Sequence, residues 1–420
     1  MCINQSNDEA VLSKNYSKDG ERKITLETTI VNESAQYLKT AELLSQAFGT
    51  DAAARDRAGG TAKAQRDALR DSGLLKLPIP KEYGGEGQPW SLVLRIVREL
   101  AKTDAALGHL YGYHAFQTVL PHIAGTAKQK EYFYKESAAN NWFWGNSSNP
   151  IEPSLIGERV GDAFVVNGHN TFSTGAKDSD RLAITWYDNP EKTTLYIGII
   201  PTARGGITIH DDWDGMGQRQ TDSGSVTFEN VLVEADEIID LTESKGTPFA
   251  TFDAILSQIV LANVFVGSAE GALEEAKKYT SNKSRPWYLT DYEKATDDPF
   301  IQRSYGEFWI DIQAAVQLVE KAGNKVDEAW SRDRSLTKEE RGDTVLLTGA
   351  ANAFGTKVAL NITSSIFQVM GARSATRKNN FDRFWRNVRT HSLHNPIEYK
   401  RKNIGHWVLT GEYPTPTVYS

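Results

Sequence analysis

Two pairs of residues at helical spacing carry the chain's most suggestive chemistry. His109 and Tyr113 stand four apart within Gly108-His-Leu-Tyr-Gly-Tyr-His, and His391 and His394 stand three apart near the C-terminus. On a helix each pair shares a face, and imidazole and phenol groups held together can donate, accept or move protons in a pocket closed to water. The same residues also have a plainer reading, in which His109 and His114 are half-buried helix histidines satisfied by their neighbours. A metal site from His109, His391 and His394 is disfavoured, because no Asp or Glu stands at a recurrent ligand spacing and no His-Glu-x-x-His string occurs. The expectation is no metal. Tyr83-Gly-Gly-Glu-Gly lacks the preceding strand and following helix start of a nucleotide loop and reads as a structural turn.

The elements that must position these residues follow from periodicity. From about 34 to 141 apolar residues recur at helix spacing, as in Ala41, Leu44, Ala47, Phe48 and again Leu92, Leu94, Ile96, Val97, Leu100. Prolines and glycines between Lys76 and Pro89 fix a loop there. The segment 142–245 changes character: Ala163-Phe-Val-Val-Asn-Gly-His, Leu182-Ala-Ile-Thr-Trp-Tyr, Thr194-Leu-Tyr-Ile-Gly-Ile-Ile and Ser225-Val-Thr-Phe are short β-rich runs bounded by turn residues. Helical period returns in 246–420 over three long segments, 249–282, 300–331 and 338–370. Residues 1–33 are polar and read as a mobile leader. The fold class is mainly α with a central β domain: an N-terminal helical domain, a middle barrel-like β domain and a C-terminal helix bundle.

Several strings carry a family resemblance. Ile79-Pro-Lys-Glu-Tyr-Gly-Gly-Glu-Gly, Gly168-His-Asn-Thr-Phe-Ser-Thr-Gly-Ala and Val226-Thr-Phe-Glu-Asn-Val resemble the loop, the flavin-facing strand and turn, and the exit strand of the acyl-CoA dehydrogenase fold. Longer strings, Ala54-Arg-Asp-Arg-Ala-Gly-Gly, Arg219-Gln-Thr-Asp-Ser-Gly-Ser and Phe381-Asp-Arg-Phe-Trp-Arg-Asn-Val-Arg-Thr-His-Ser-Leu-His, are similar to the dibenzothiophene monooxygenases within that superfamily. The resemblance implies a two-component monooxygenase that receives FMNH2 from a separate NAD(P)H-dependent flavin reductase and takes dioxygen as co-substrate. A C4a-hydroperoxyflavin would then deliver oxygen to the sulfur of an aromatic or alkyl sulfide. It implies His109, Thr174 and His394 as catalytic, with Thr174 as a cooperating hydrogen-bond donor. Tyr113, Asn146, Trp213 and His391 line the flavin and substrate cavity, and Asn146, Thr174 and Trp213 also touch the cofactor. Arg285 and Arg373 hold the flavin phosphate, one of them across a subunit interface of a homotetramer. Thr174 stands where the family has serine, which keeps the hydroxyl and adds a methyl group.

The departures from a dehydrogenase decide the chemistry. A dehydrogenase needs a carboxylate base, yet Gly371 to Asp382 contains no Glu and Ser257-Gln258 occupies the other place where the family carries one. Acyl-CoA dehydrogenation is the alternative, and a non-catalytic flavin-binding protein the third reading. Gly371-Ala372-Arg373 puts a large side chain where the adenine half of FAD would lie, which favours FMN. The 47 basic and 54 acidic residues give net −7 without a basic block, so nucleic acid is not an expected partner. Phe249 to Leu273 is interrupted by polar residues and is not an expected membrane span. A lone cysteine and no signal-like N-terminal segment point to the cytoplasm.

Overall fold

The computed structural model describes residues 20–148, 154–417 and 419. Seven helices come first: α1 (Gly20–Gly49), α2 (Ala52–Ala58), α3 (Lys63–Asp71), α4 (Trp90–Thr103), α5 (Ala105–Thr118), α6 (Leu120–Ala124) and α7 (Ala127–Asn140). Helix α1 reaches back to Gly20, within the leader expected over 1–33, of which residues 1–19 lie outside the described ones.

Asp104 caps α5 by accepting from Ala106 N and Leu107 N. All of α5 but Phe116 is buried, as befits a helix that is apolar on every side and sits between others. Gly112 makes this possible, since a Cβ there would fall 2.4 Å from Val260. The loop before α4 is held by backbone hydrogen bonds, Glu86 N to Lys76 O, Gly87 N to Ile79 O and Gln88 N to Leu77 O, so Tyr83-Gly-Gly-Glu-Gly is a structural turn.

Seven strands follow: β1 (Trp144–Ser147), β2 (Ile156–Val160), β3 (Ala163–Asn170), β4 (Arg181–Tyr187), β5 (Leu195–Pro201), β6 (Ile207–Ile209) and β7 (Val226–Val233). They form one sheet in the order β1-β4-β2-β3-β7-β6, with β5 pairing β4. Pairing is antiparallel except for β1 and β2 beside β4, and β3 bulges against β7 between Val166 and Gly168. The C-terminal part comprises α8 (Phe252–Lys283), α9 (Pro299–Trp330), α10 (Lys338–Met370), α11 (Asp382–His391) and α12 (Ile397–Thr410).

Hydrophobic burial forms two main cores, joined by a smaller cluster in which Leu120, Ala124 and Phe133 pack with Trp144, Ala183, Ile199 and Ile239 of the β domain. The N-terminal helices and the bundle share a single core running from Ala41 to Val388, whereas the sheet keeps its own around Phe164, Trp186 and Phe228. Helix α8 packs against α4, α5, α9 and α10. With its entry turn, from Pro248 to Lys283, it is long and apolar enough to cross a membrane, but 83% of its most apolar window is buried. It is a core helix.

Candidate functional site

The two histidine pairs converge. On α5 the rings of His109 and Tyr113 meet edge to face with centroids 4.2 Å apart, and the His391 ring, at the end of α11, lies 4.1 Å from His109 on another edge. His109 is buried, and neither of its ring nitrogens has a hydrogen-bond partner; His391 Nδ1 is likewise unpaired. Burial holds the His109 pKa well below the ordinary value, with the like charges of His391 and His394 adding to it. Burial lowers His391 to about 3. His394 keeps an exposed edge, yet its surroundings lower it to about 4, desolvation first and the nearby Lys400 charge second. All three imidazoles are therefore neutral at pH 7; Lys400 is the charge that acts on His394, and the rings would repel one another only if protonated. No carboxylate contributes.

His114, one residue beyond Tyr113, shows what a structural histidine looks like. Its Nδ1 accepts from Trp144 N at 3.1 Å, which fixes the tautomer so that Nε2 donates to Leu75 O at 3.0 Å. The plainer reading fits His114 and fails for His109.

A second group lies on the sheet side. The turn after β3 carries Phe172 and Thr174, and Thr174 O accepts from Asn146 N of β1. Thr174 Oγ1 lies 2.9 Å from Ser223 Oγ, which lies 2.7 Å from Thr221 Oγ1. Thr221 Oγ1 donates to Gln218 O at 2.8 Å, and the same carbonyl accepts from Trp213 Nε1 at 2.8 Å. A carbonyl only accepts and each hydroxyl has one proton, so the chain has one direction: Thr174 donates to Ser223, Ser223 to Thr221, and Thr221 to the carbonyl. Thr174 consequently offers only lone pairs outward. This arrangement differs from the donor role expected of Thr174, whose proton is here engaged by Ser223.

Asn387 ties the two groups together. Gln218 N donates to Asn387 Oδ1 at 2.6 Å, and Asn387 lies one helical turn before His391 on α11. Gly217 permits the approach, since a Cβ there would fall 2.2 Å from Arg386 O. Arg386 adds an ion pair to Asp56 of α2 at 2.6 Å.

Phe172 has φ +56° and is 68% exposed, with its ring 5.9 Å from that of Trp213. A bulky residue in the left-handed region is strained, and such strain collects at functional sites. Among the described residues the Asn146 side chain makes no hydrogen bond, although its backbone N donates to Thr174 O at 3.1 Å. Arg285 and Arg373 come from neighbouring ends of the bundle, as Ser284 Oγ donates to Met370 O at 2.9 Å. Both arginines are exposed and unpaired among the described residues.

Sequence reasoning assigned no role to Phe172, Thr221, Ser223 or Asn387, although each lies inside a string already singled out. Nor did it assign Tyr419, whose ring stands 5.3 Å from that of His394. No chain spacing signals that contact. Among the described residues no three His, Cys, Asp or Glu side chains are grouped to hold a metal ion.

These features fit a flavin mononucleotide: an exposed aromatic pair for the ring, an outward acceptor at Thr174, unpaired imidazole nitrogens and two free guanidinium groups for a phosphate. Comparisons with known proteins agree. Residues 33–141 match the family described as acyl-CoA dehydrogenase, N-terminal domain, and 259–399 that described as acyl-CoA dehydrogenase, C-terminal domain. The chain is 39% identical to a probable FMNH2-dependent monooxygenase SfnC of Pseudomonas putida over 91% of this chain and 97% of the relative. It is 40% identical to a dibenzothiophene monooxygenase of Rhodococcus erythropolis over 89% and 93%. Among solved structures, methanesulfinate monooxygenase MsuC from Pseudomonas fluorescens superposes with a TM-score of 0.89 at 41% identity, covering 91% of this chain and 99% of that one. FMN-bound TdsC from Paenibacillus sp. A11-2 does so at 0.87 and 37%, covering 92% and 100%.

Proposed function

Because the chain belongs to the FMNH2-dependent monooxygenases of the dibenzothiophene type, within the acyl-CoA dehydrogenase superfamily, we propose that it transfers one oxygen atom of dioxygen to the sulfur of an organic molecule. The observation that carries the reading is the set of unpaired, neutral imidazole nitrogens of His109 and His391 beside Tyr113 and His394, without a carboxylate to act as a thioester base. Reduced FMN, when bound, supplies the electron pair that activates dioxygen.

The chain's own residues bind, orient and shield. Arg285 and Arg373 pair with the phosphate, for which a guanidinium offers bidentate, charge-assisted hydrogen bonds. Phe172 and Trp213 flank the ring system, and Asn146 supplies an amide to its polar edge. Thr174, whose own proton is engaged by Ser223, would offer a lone pair to an N–H of the reduced ring. Each neutral imidazole keeps one N–H. His394 and His109 aim such donors at the oxygen being transferred, with His391 and Tyr113 packing the cavity and excluding water.

Trp287, Tyr288, Leu289, Phe300, Trp309 and Ile310 are each exposed, and so many large apolar side chains facing water fit burial in a homotetramer where one arginine serves a neighbour's flavin. The electrons come from a separate NAD(P)H-dependent flavin reductase. Free FMNH2 is consumed by oxygen, so the two proteins work in one compartment, the cytoplasm.

The test pairs two assays. Under air, with NADH, FMN and a flavin reductase, oxygenated product from dibenzothiophene, thioanisole or methanesulfinate is expected. Anaerobically, with acyl-CoA thioesters and an electron-accepting dye, no dye reduction is expected. Dye reduction without oxygenated product would overturn the proposal in favour of a dehydrogenase.

A further inference from the structure

A small, mostly apolar cavity of about 30 Å3 lies near His394, lined by Ile255, Gln258, Leu346, Lys400, Asn403 and Tyr419 among others. Two contacts tie it to the histidine cluster. Tyr419 shares the cavity wall and the His394 ring, and Gln258 Oε1 accepts from Asn395 Nδ2, next to His394, at 3.2 Å.

Lys400, in the first turn of α12, lines this cavity and is only 8% exposed, yet among the described residues its Nζ has no hydrogen-bond partner. Burial alone brings its pKa down to about 8, and no carboxylate offsets that. At neutral pH it is still mainly an ammonium ion. An unpaired buried ammonium costs several kcal/mol, and methionine would fill the same space without that cost. The fold thus maintains a cation with three free donors in an otherwise apolar chamber beside the proposed oxygen-transfer site. Neutral sulfides would leave that cation unpaired; an oxyanion would satisfy it.

Resting on the monooxygenase reading, we propose that Lys400 is the anion-recognition residue of the substrate cavity and that the substrates are small organosulfur anions. An oxygen of the anionic group accepts from Nζ while the rest of the molecule occupies the apolar chamber beside His394. The anionic group is either the sulfur-bound one, as in a sulfinate, or a carboxylate elsewhere in a sulfide.

The experiment uses the protein saturated with oxidised FMN, so that no turnover occurs, titrated calorimetrically with sodium methanesulfinate, sodium (methylthio)acetate and uncharged dimethyl sulfide. At least one anion is expected to bind the wild type, and which one does so distinguishes the two sources. Lys400→Met is expected to weaken that anion about tenfold or more, the loss of one charge-assisted hydrogen bond, while Lys400→Arg retains most of the affinity and dimethyl sulfide binds both forms alike. Melting curves of the variants check that the fold survives. Equal anion binding by wild type and Lys400→Met, or loss of FMN rather than anion affinity in that variant, would overturn the inference. So would FMN binding without binding of either anion, an outcome that leaves the monooxygenase reading standing. Failure to bind FMN at all would remove both.

Discussion

The two halves of the site are built on opposite principles. On the sheet side Thr174, Ser223, Thr221, Gln218 and Trp213 form a closed chain of hydrogen bonds, each between 2.7 and 2.9 Å. On the helix side His109 and His391 present buried nitrogens that nothing in the protein satisfies. Buried polar groups are nearly always paired, so the hydroxyl chain from Thr174 to the Gln218 carbonyl is finished by folding, with only the Gln218 Oε1 beside it unpaired, and the second region is left for what binds. A satisfied network fixes position. An unsatisfied cluster keeps its donors available for the reaction, at a cost to stability that core packing elsewhere offsets.

The largest effect expected from breaking this division is on the helix side. His394→Ala should lower oxygenated product per flavin oxidised by roughly two to three orders of magnitude, the usual result of removing one preorganised donor, about 2.7–4 kcal/mol. Flavin oxidation continues, with hydrogen peroxide as the product. Product and peroxide yields measured side by side with NADH consumption check this, and an unchanged product yield would reduce His394 to a structural residue.

Acid should expose the next largest effect. In the unfolded chain His114 and His391 take protons near pH 6.5; in the folded protein burial lowers them to about 4 and about 3. At pH 7 both states are neutral at these rings and nothing is gained or lost. As pH falls below about 6.5 the unfolded chain binds protons first, so stability drops with pH, by about 2 kcal/mol per ring at pH 5. Urea melts at pH 7 and pH 5 test the sign. A His114→Gln variant at pH 5 isn't spared, however, because it loses the paired contacts to Trp144 and Leu75; the informative comparison is His391→Leu, which should show the shallower pH dependence.

The smallest effects sharpen the contrast directly. Ser223→Ala interrupts the hydroxyl chain and leaves Thr221 and Thr174 without their partner, so a loss of about 1–3 kcal/mol is expected. His391→Leu removes an unsatisfied group and should be close to neutral for stability at pH 7. Equal destabilisation by both would mean that the histidine cluster is as much a part of the folded framework as the hydroxyl chain.

Legibility in the sequence followed the same division by range. The long helices were readable because their apolar period persists over many turns: 249–282, 300–331 and 338–370 correspond to Phe252–Lys283, Pro299–Trp330 and Lys338–Met370. Strands β1, β2 and β6 were missed. Trp144–Ser147 is buried at every residue and shows no alternation, and Ile207–Ile209 is too short to carry any. His109 with Tyr113 was accessible from helical spacing, but its contact with His391 spans about two thirds of the chain. The family resemblance pointed to Thr174; only the hydroxyls of Ser223 and Thr221 show which way its proton points. Lys400 reads in sequence as one of three basic residues in Lys400-Arg-Lys, and nothing short of the fold distinguishes the buried one from its exposed neighbours.

The central claim is tested most directly by a single turnover. Stoichiometric FMNH2, made anaerobically, is mixed with the protein and methanesulfinate or thioanisole, then exposed to 18O2, and the product is analysed by mass spectrometry. The account predicts one 18O atom in the product, and close to one product molecule per FMNH2 oxidised for a substrate that fits the cavity. Complete flavin oxidation with hydrogen peroxide as the sole product from every organosulfur compound tried, or product oxygen drawn from water, would contradict it.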